Sequence, residues 1–172
     1  STPNYEIPAD ADENNTYIVI VTVTDNGSLT DSQTLTITVT DVNDAPVITS
    51  NSGGSIASIS FAENSTSTVT TVASTDEDGD PRTYSISGTD AADFSINSSS
   101  GVLTFASTPN YEIPADADEN NTYIIIVTAT DNGSGSLTDS QTLTITVTDV
   151  NEAPVITSNS GGSTASDSFA EN

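Results

Sequence analysis

TYIIIVTATDNGSGSLTDSQTLTITVT, residues 122–148, decides the fold of this chain. Leu143, Ile145 and Val147 alternate with Thr142, Thr144, Thr146 and Thr148, a strict period of two that turns one face to a core and the other to water. In the preceding run Tyr123, Ile125, Val127 and Ala129 take the inward positions. Ile124 and Ile126 make its outer side apolar as well, which predicts a central strand. Asp131-Asn132-Gly133 between the two runs is a hairpin turn signal. Residues 16–40, TYIVIVTVTDNGSLTDSQTLTITVT, repeat the whole stretch without the inserted Gly135-Ser136. The likeness runs on to either side: PNYEIPADADEN stands at 3–14 and again at 109–120, TDVNDAPVITSNSGGS at 40–55 returns as TDVNEAPVITSNSGGS at 148–163, and SFAEN at 60–64 returns at 168–172. A period of about a hundred residues means whole domains in tandem, because solenoid repeats run to only about 20–50.

Short strands are also predicted over Ser60–Ala62, Val69–Ala73, Thr83–Ser87, Asp93–Ile96 and Val102–Phe105, separated by the turn sequences DEDGDP at 76–81 and NSSSG at 97–101. No stretch has a helical period. About seven strands in roughly a hundred residues is the count of an all-β, Greek-key sandwich of immunoglobulin-like architecture. Residues 59–157 hold a full set, 1–46 hold the last two or three strands of a preceding copy, 47–58 read as a linker, and 158–172 as a linker and the start of a further copy. A two- or three-stranded piece cannot close its own core. The leading piece is therefore expected to be completed by chain upstream of Ser1 or by strands of an adjacent subunit. Tyr84, Phe94, Phe105 and Tyr123 fall on inward positions and read as core aromatics.

Composition narrows the chemistry. Twenty-five acidic residues stand against the single Arg82, for a formal charge of −24, and such a surface repels nucleic acid and anionic membranes. There is no Cys, His, Met or Trp, so thiol and imidazole metal sites, disulfides and Cys/His or Ser/His nucleophile pairs are excluded. Oxygen ligands alone are plentiful, which selects hard cations. No run reaches the roughly 18 apolar residues of a membrane span and no signal peptide opens the sequence, so an export signal is expected outside it.

The acids fall at strand ends and loops in a set order: Phe61-Ala62-Glu63-Asn64, Asp76-x-Asp78, Asn110-Tyr111-Glu112, Ala129-Thr130-Asp131 and Asp149-Val150-Asn151-Glu152. Singly each is an ordinary turn motif. Together they resemble the cadherin repeat, in its bacterial cadherin-like form, over 59–157 and the partial copies beside it. The resemblance implies Ca²⁺ ligands converging across each linker, from the base of one domain and the top of the next. For the first linker it implies Glu6, Asp41, the Val42 carbonyl, Asn43 and Asp44 with Asp76, Asp78 and Asp131. For the second it implies Glu63, Glu112, Asp149, Asn151 and Glu152. Three departures reduce charge or alter reach: Asn4 and Asn110 replace the family's usual Asp, Ala45 and Ala153 replace the linker's last Asn, and Glu152 replaces the Asp that Asp44 retains. Fewer than the family's three ions per linker are then expected. The spacing is also stretched, and the Ser/Gly run in VITSNSGGSIASIS at 47–60 reads as a flexible hinge. Further metal candidates are Asn4, Asn110 and Asp25, together with Asp116-x-Asp118-x-Asn120, whose spacing is how a calcium loop begins. The glycine turn and bidentate Glu of such a loop do not follow.

The expectation is a non-enzymatic, secreted or surface-anchored module stiffened end to end by calcium, acting as stalk, spacer or filament in bacterial adhesion. Its partners are expected to be neighbouring repeats, adjacent subunits through strand completion, and glycans or cell-surface ligands. The alternative is a calcium-dependent carbohydrate-binding module of a polysaccharide-associated protein, an inference from fold analogy.

Overall fold

The computed structural model describes residues 2–158 and 161–171. Its strands are β1 (Thr16–Thr24), β2 (Thr30–Thr38), β3 (Val47–Ile48), β4 (Ile56–Ala62), β5 (Thr70–Thr71), β6 (Ser74–Thr75), β7 (Arg82–Ser87), β8 (Phe94–Ile96), β9 (Val102–Phe105), β10 (Thr122–Asp131) and β11 (Thr138–Thr148), with a 3₁₀ turn at Ala91–Asp93. The long alternating stretch forms the antiparallel hairpin β10–β11, pairing Tyr123 with Ile145 and Ile125 with Leu143. β7 adds antiparallel to β10 and β4 parallel to β11, giving a four-stranded sheet in the order β4-β11-β10-β7. The opposing layer is built from β5-β9-β8 and the short β3-β6 pair. β10 is thus central, as its apolar outer side predicts.

Between the layers lies the core. Ile125, Val127, Ala129, Leu143 and Ile145 are wholly buried, with Leu103, Val72 and Val147 beside them. Phe61, Phe94, Phe105 and Tyr123 pack as one aromatic cluster, with ring centroids 4.4 Å apart for Phe94–Phe105 and 5.2 Å for the edge-on Phe105–Tyr123 pair, spacings at which the ring quadrupoles attract. Tyr84 packs against the core and its hydroxyl bonds that of Ser74 at 3.0 Å. A Cβ at Gly101, where φ is +70°, would collide with the Val72 carbonyl, so the turn before β9 requires glycine.

Two expectations are corrected. Residues 47–58 are not a hinge. Val47–Ile48 pairs with Ser74–Thr75, Ile48 is buried, and the strand expected to begin at Ser60 begins at Ile56. The Ser/Gly run between them is a tight turn with positive φ at Asn51, Ser52, Gly53 and Gly54. Gln141, fully buried on β11, holds it: the Gln141 side-chain amide donates to the Gly54 carbonyl at 2.9 Å and accepts from Asn51 Nδ2 at 3.1 Å, while Asp139 Oδ2 accepts the Ile48 amide at 2.7 Å. Of the strand expected over Val69–Ala73 only Thr70–Thr71 forms, as β5, with β6 beyond it at Ser74–Thr75, and Asp93 belongs to the 3₁₀ turn, so that β8 starts at Phe94.

β1 and β2 form the same hairpin in the same register, Tyr17 opposite Ile37 and Val19 opposite Leu35. Among the described residues nothing covers its inward face: Leu35, Val19 and Val21 are 39%, 43% and 51% exposed, where Leu143, Ile125 and Val127 are at 0%. One sequence in two surroundings gives a direct test. Leu143→Ala is expected to cost about 2–5 kcal/mol through lost burial and the cavity left behind, and Leu35→Ala less than about 1 kcal/mol, as read from denaturant midpoints. Equal costs would mean that the first hairpin is buried in solution.

Candidate metal centres

The loop between β6 and β7 carries Asp76, Asp78 and Asp80, whose carboxylate oxygens lie within 4.8 Å of one another. Two backbone amides shape it, Gly79 donating to the Asp76 carbonyl and Asp80 to Asp76 Oδ1. Beside it stands Asp131, at the buried end of β10, and against both lies the segment leaving β2. Asp44 and Glu6 bring their carboxylates within 4.8 Å of that of Asp78. The Asp44 amide donates to Asp78 Oδ2 at 2.7 Å, and Asn43 Nδ2 to Asp131 Oδ2 at 3.1 Å. A Cβ on Gly133 would collide with Asn43 Oδ1 and Asp80 Oδ2, so a glycine in the β10–β11 turn is what admits these two side chains.

The electrostatics are those of crowded like charges. Desolvation, followed by the charges of Asp78, Glu77, Asp41 and Asp76, raises the pKa of Asp44. Desolvation also raises Asp80, with Asp76, Asp78, Asp131 and Asp41 adding to it. In Glu6 a hydrogen bond to its own backbone pulls downward, but desolvation and the hydrogen bond and charge of Asp78 leave the carboxyl raised. Asp76 Oδ2 and Asp78 Oδ1 are buried without a hydrogen-bond partner. Orphaned anionic oxygens in a cluster of carboxylates, in a chain without imidazole or thiol, fit a hard divalent cation that takes six to eight oxygen ligands.

At the opposite end of the same domain a second group gathers Glu63, Glu112, Asp149 and Glu152 within 4.8 Å. Glu63 is only 2% exposed, and each of its oxygens accepts a backbone amide at 2.8 Å, Oε2 from Tyr111 and Oε1 from Val150. These two bonds hold its carboxyl below the ordinary range. In Glu112 a bond to its own backbone pulls down, yet desolvation and the charges of Glu63, Glu152 and Asp149 leave it raised. Asn64 Nδ2 donates to Glu152 Oε1 at 2.7 Å.

The remaining candidates fall elsewhere. Asp41 acts on the first group through its charge but lies outside the tight sets, Val42 is 75% exposed, and Asn151 is exposed beside Glu152. Asn4 and Asn110 shape turns, their Oδ1 atoms accepting the amides of Ile7 and Ile113, and Asn4 Nδ2 reaches Glu77 at 2.8 Å. Asp25 Oδ1 accepts the amides of Gly27 and Leu29 in its own hairpin turn. In the DADEN loop Asp116 takes the amides of Asn120 and Asn121, while Asn120 Nδ2 donates to Asp118 at 2.7 Å; Asp10, Asp12, Asn14 and Asn15 repeat the pattern. Those hydrogen bonds cap a turn. Asp80 was missed by motif spacing, although it is the third aspartate of DEDGD and sits inside the first group.

The geometry agrees with the comparisons. The family model described as "Cadherin domain" matches residues 57–148. The Drosophila melanogaster protein described as "Protocadherin-like wing polarity protein stan" is 33% identical over 145 residues, 79% of this chain and 4% of that protein. Among solved structures, protocadherin gamma B7 extracellular cadherin domains 1–4 align at a TM-score of 0.58 and 26% identity, over 83% of this chain and 34% of that one. Drosophila N-cadherin EC1–4 aligns at 0.52 and 28%, over 69% and 28%. Mouse cadherin-23 EC22–24, at 0.57 and 24% over 83% and 45%, shares the fold.

The raised and lowered carboxyls set opposite pH dependences. A raised carboxyl binds its proton more tightly in the folded state, so Glu6, Asp44, Asp80 and Glu112 weaken the fold as pH rises through the range just above ordinary carboxylate values. Glu63 is lowered, so its contribution is present above its unfolded pKa and is lost as pH falls through the folded one. In chelator, melting temperature is expected to rise as pH is lowered from 7 to about 5 and to fall again at lower pH. Asp10 and Asp116 are lowered as well, so Glu63→Gln should shrink the second limb without removing it.

Proposed function

Because this chain belongs to the cadherin domain family, we propose that it works as a calcium-stiffened extracellular spacer, each ion site being shared between the end of one repeat and the start of the next. Cadherin domains are extracellular adhesion modules, not enzymes. The observation that carries the reading is the meeting of Glu6 and Asp44, which precede the complete domain, with Asp78 inside it, around Asp oxygens that have no partner. In this reading Asp76, Asp78, Asp80 and Asp131 supply the upper half of the first site, and Glu6, Asp41, Asn43 and Asp44 the lower. Glu63, Glu112, Asp149, Asn151 and Glu152 supply the lower half of the next. Bound calcium would neutralise the crowded charge, and coordination at about 2.3–2.6 Å would draw the two halves together.

Extracellular calcium modules bind in the range of about 10⁻⁴–10⁻³ M, so a millimolar medium loads them and a cytosol does not. At a hundredfold excess over Kd each ion would stabilise the holo form by about 2.7 kcal/mol. The chain spans a small fraction of its curated relative, and the activity of the whole protein is a proposal on the same footing. The bacterial adhesin setting rests on the form of the motifs alone, the curated relative being from Drosophila. The exposed inward face of the β1–β2 hairpin supports its completion by further strands, from the same chain or a neighbour. The carbohydrate-binding reading lacks a platform among the described residues. The exposed aromatics Tyr5, Tyr111 and Phe169 lie in three separate segments, and the rest of the large rings near the sheet belong to the core.

Calcium titration by calorimetry, with small-angle scattering for stiffness, tests the proposal. Asp78→Asn is expected to weaken calcium binding by about 10–100-fold, the effect of losing one strong charged ligand, and to loosen the angle between the first hairpin and the complete domain. Asp118→Asn should change neither. Unaltered affinity in Asp78→Asn would sink the shared site.

A further inference from the structure

Arg82 is the one basic residue of the chain, and packing does not account for it. It opens β7, half-buried, on the register of Tyr84 and Ile86, which pack against the core. An aliphatic side chain would suit that place. The guanidinium instead leaves Nε buried without a hydrogen-bond partner, a position that costs stability unless other bonds offset it. Charge pairing does not account for it either. Beside carboxylates a guanidinium commonly takes one in a two-bonded fork, yet Arg82 Nη1 donates to the Asp80 carbonyl at 2.8 Å and Nη2 to the Ser74 carbonyl at 3.1 Å. Asp131, opposite it across the sheet, accepts from the Gly133 and Leu137 amides and from Asn43 Nδ2.

Those two carbonyls bound the loop that carries Asp76 and Asp78, and one planar group holds both at a fixed span. The two ends differ in what else secures them. Ser74 is buried, stands opposite Ile48 in the β3-β6 pair, and its hydroxyl bonds that of Tyr84 at 3.0 Å. Asp80 is tied by its amide to Asp76 Oδ1, within the same loop, and the Pro81 carbonyl after it accepts the Asn132 amide. Val47 follows Asp44 by three residues, so β3 continues directly from the acids of the linker. Arg82 thereby fastens the far end of the loop to the strand pair from which the linker runs.

A cation placed this way has two effects on an ion site, of opposite sign. Its charge repels a second cation and lowers affinity. Its bonds fix backbone that would otherwise be ordered only on binding, which raises affinity. The carboxylates of Asp76, Asp78 and Asp80 lie within 4.8 Å of one another, and their repulsion favours an open loop. The guanidinium opposes that opening through main-chain carbonyls, without engaging a carboxylate. Position and charge therefore make contrary predictions for the loss of Arg82, and the sign of the change in calcium affinity tells them apart.

We propose that Arg82 is a positioning residue of the first ion site, clasping the DEDGD loop at Ser74 and Asp80 so that its carboxylates face the linker acids before an ion arrives. The inference rests on the shared calcium site and names the residue that shapes it. The test compares the 172-residue chain with Arg82→Leu, which keeps an apolar side chain on the inward register, and Arg82→Lys, which keeps the charge without the fork. Calcium binding is read by calorimetry, and amide hydrogen exchange is read in chelator. Arg82→Leu is expected to weaken calcium binding about tenfold, against the sign that loss of a positive charge alone would give. Arg82→Lys should weaken it as well. Exchange at Gly79 and Asp80 should quicken about tenfold in both variants, while exchange at Asn120 and Asn121, in the separately capped DADEN loop, should not change. Should Arg82→Leu fail to fold, Arg82→Lys carries the same two expectations. Calcium affinity kept or raised in the folded variants overturns the proposal, as does exchange at Gly79 and Asp80 that matches the parent. Exchange quickened equally in both loops would make Arg82 a general stabiliser and overturns it too. A parent chain that binds no calcium overturns the shared site itself, and this inference with it.

Discussion

Mutual repulsion among carboxylates is the constraint that orders this molecule. With 25 acids and one arginine, pairing with cations of its own is closed to it, and Arg82 itself donates to the carbonyls of Asp80 and Ser74. What it uses are neutral donors. Backbone amides cap Glu63, Asp116 and Asp10, and the asparagine amides of Asn43 and Asn64 reach Asp131 and Glu152. Each such bond satisfies a carboxylate oxygen without adding positive charge. The acids left over, those of the DEDGD loop above all, are the ones whose oxygens have no partner. Candidate ligands such as Glu63 and Asp131 take amides too; what sets Asp76 and Asp78 apart is a second oxygen that is buried and left over.

The hairpin was legible because its alternation is strict and long, and Tyr123, Ile125, Val127, Ala129, Leu143, Ile145 and Val147 are buried as the period requires. What alternation could not reveal was the segment 47–58. β3 is two residues long, too short to show any period, and the Ser/Gly turn after it has the composition of a linker. Its order comes from Gln141, a polar residue on an inward register where the pattern calls for an aliphatic one. The carbonyls of a tight turn need a buried donor and the strand opposite provides it. Locally odd residues of this kind record tertiary contacts that a reading of one segment at a time does not contain.

For the acidic sites, spacing had equal power to suggest two outcomes. Asp-x-Asp occurs in DED at 76–78 and in DAD at 116–118, and only the backbone decides between them. In the second, positive φ at Glu119 and Asn121 turns successive amides toward Asp116, and the loop closes on its own side chain. In the first, Gly79 at φ +78° turns the chain so that three carboxylates face one another. Asp80 became visible only then, because its role depends on which way the turn folds.

The two acidic ends of the complete domain are therefore unlike. At one, Glu63 is fixed by two amides from separate segments, before Tyr111 and after Asp149, so that the loop bearing Glu112 and the strand end bearing Asp149 are tied to it whatever occupies the site. At the other, Asp76, Asp78 and Asp80 stand on a single turn, and what meets them arrives from residues 6 and 41–44. A firm base and a top that lacks counter-charge make complementary halves. Stacked in series, each junction would join a carboxylate set held by the fold to one whose repulsion is unrelieved, and a cation between them lowers the energy of both only when they are brought together. Stiffness in such an array would depend on the ion, as proposed, while the integrity of each domain depends on the hairpin core and the Gln141-locked turn, which lie away from both ends.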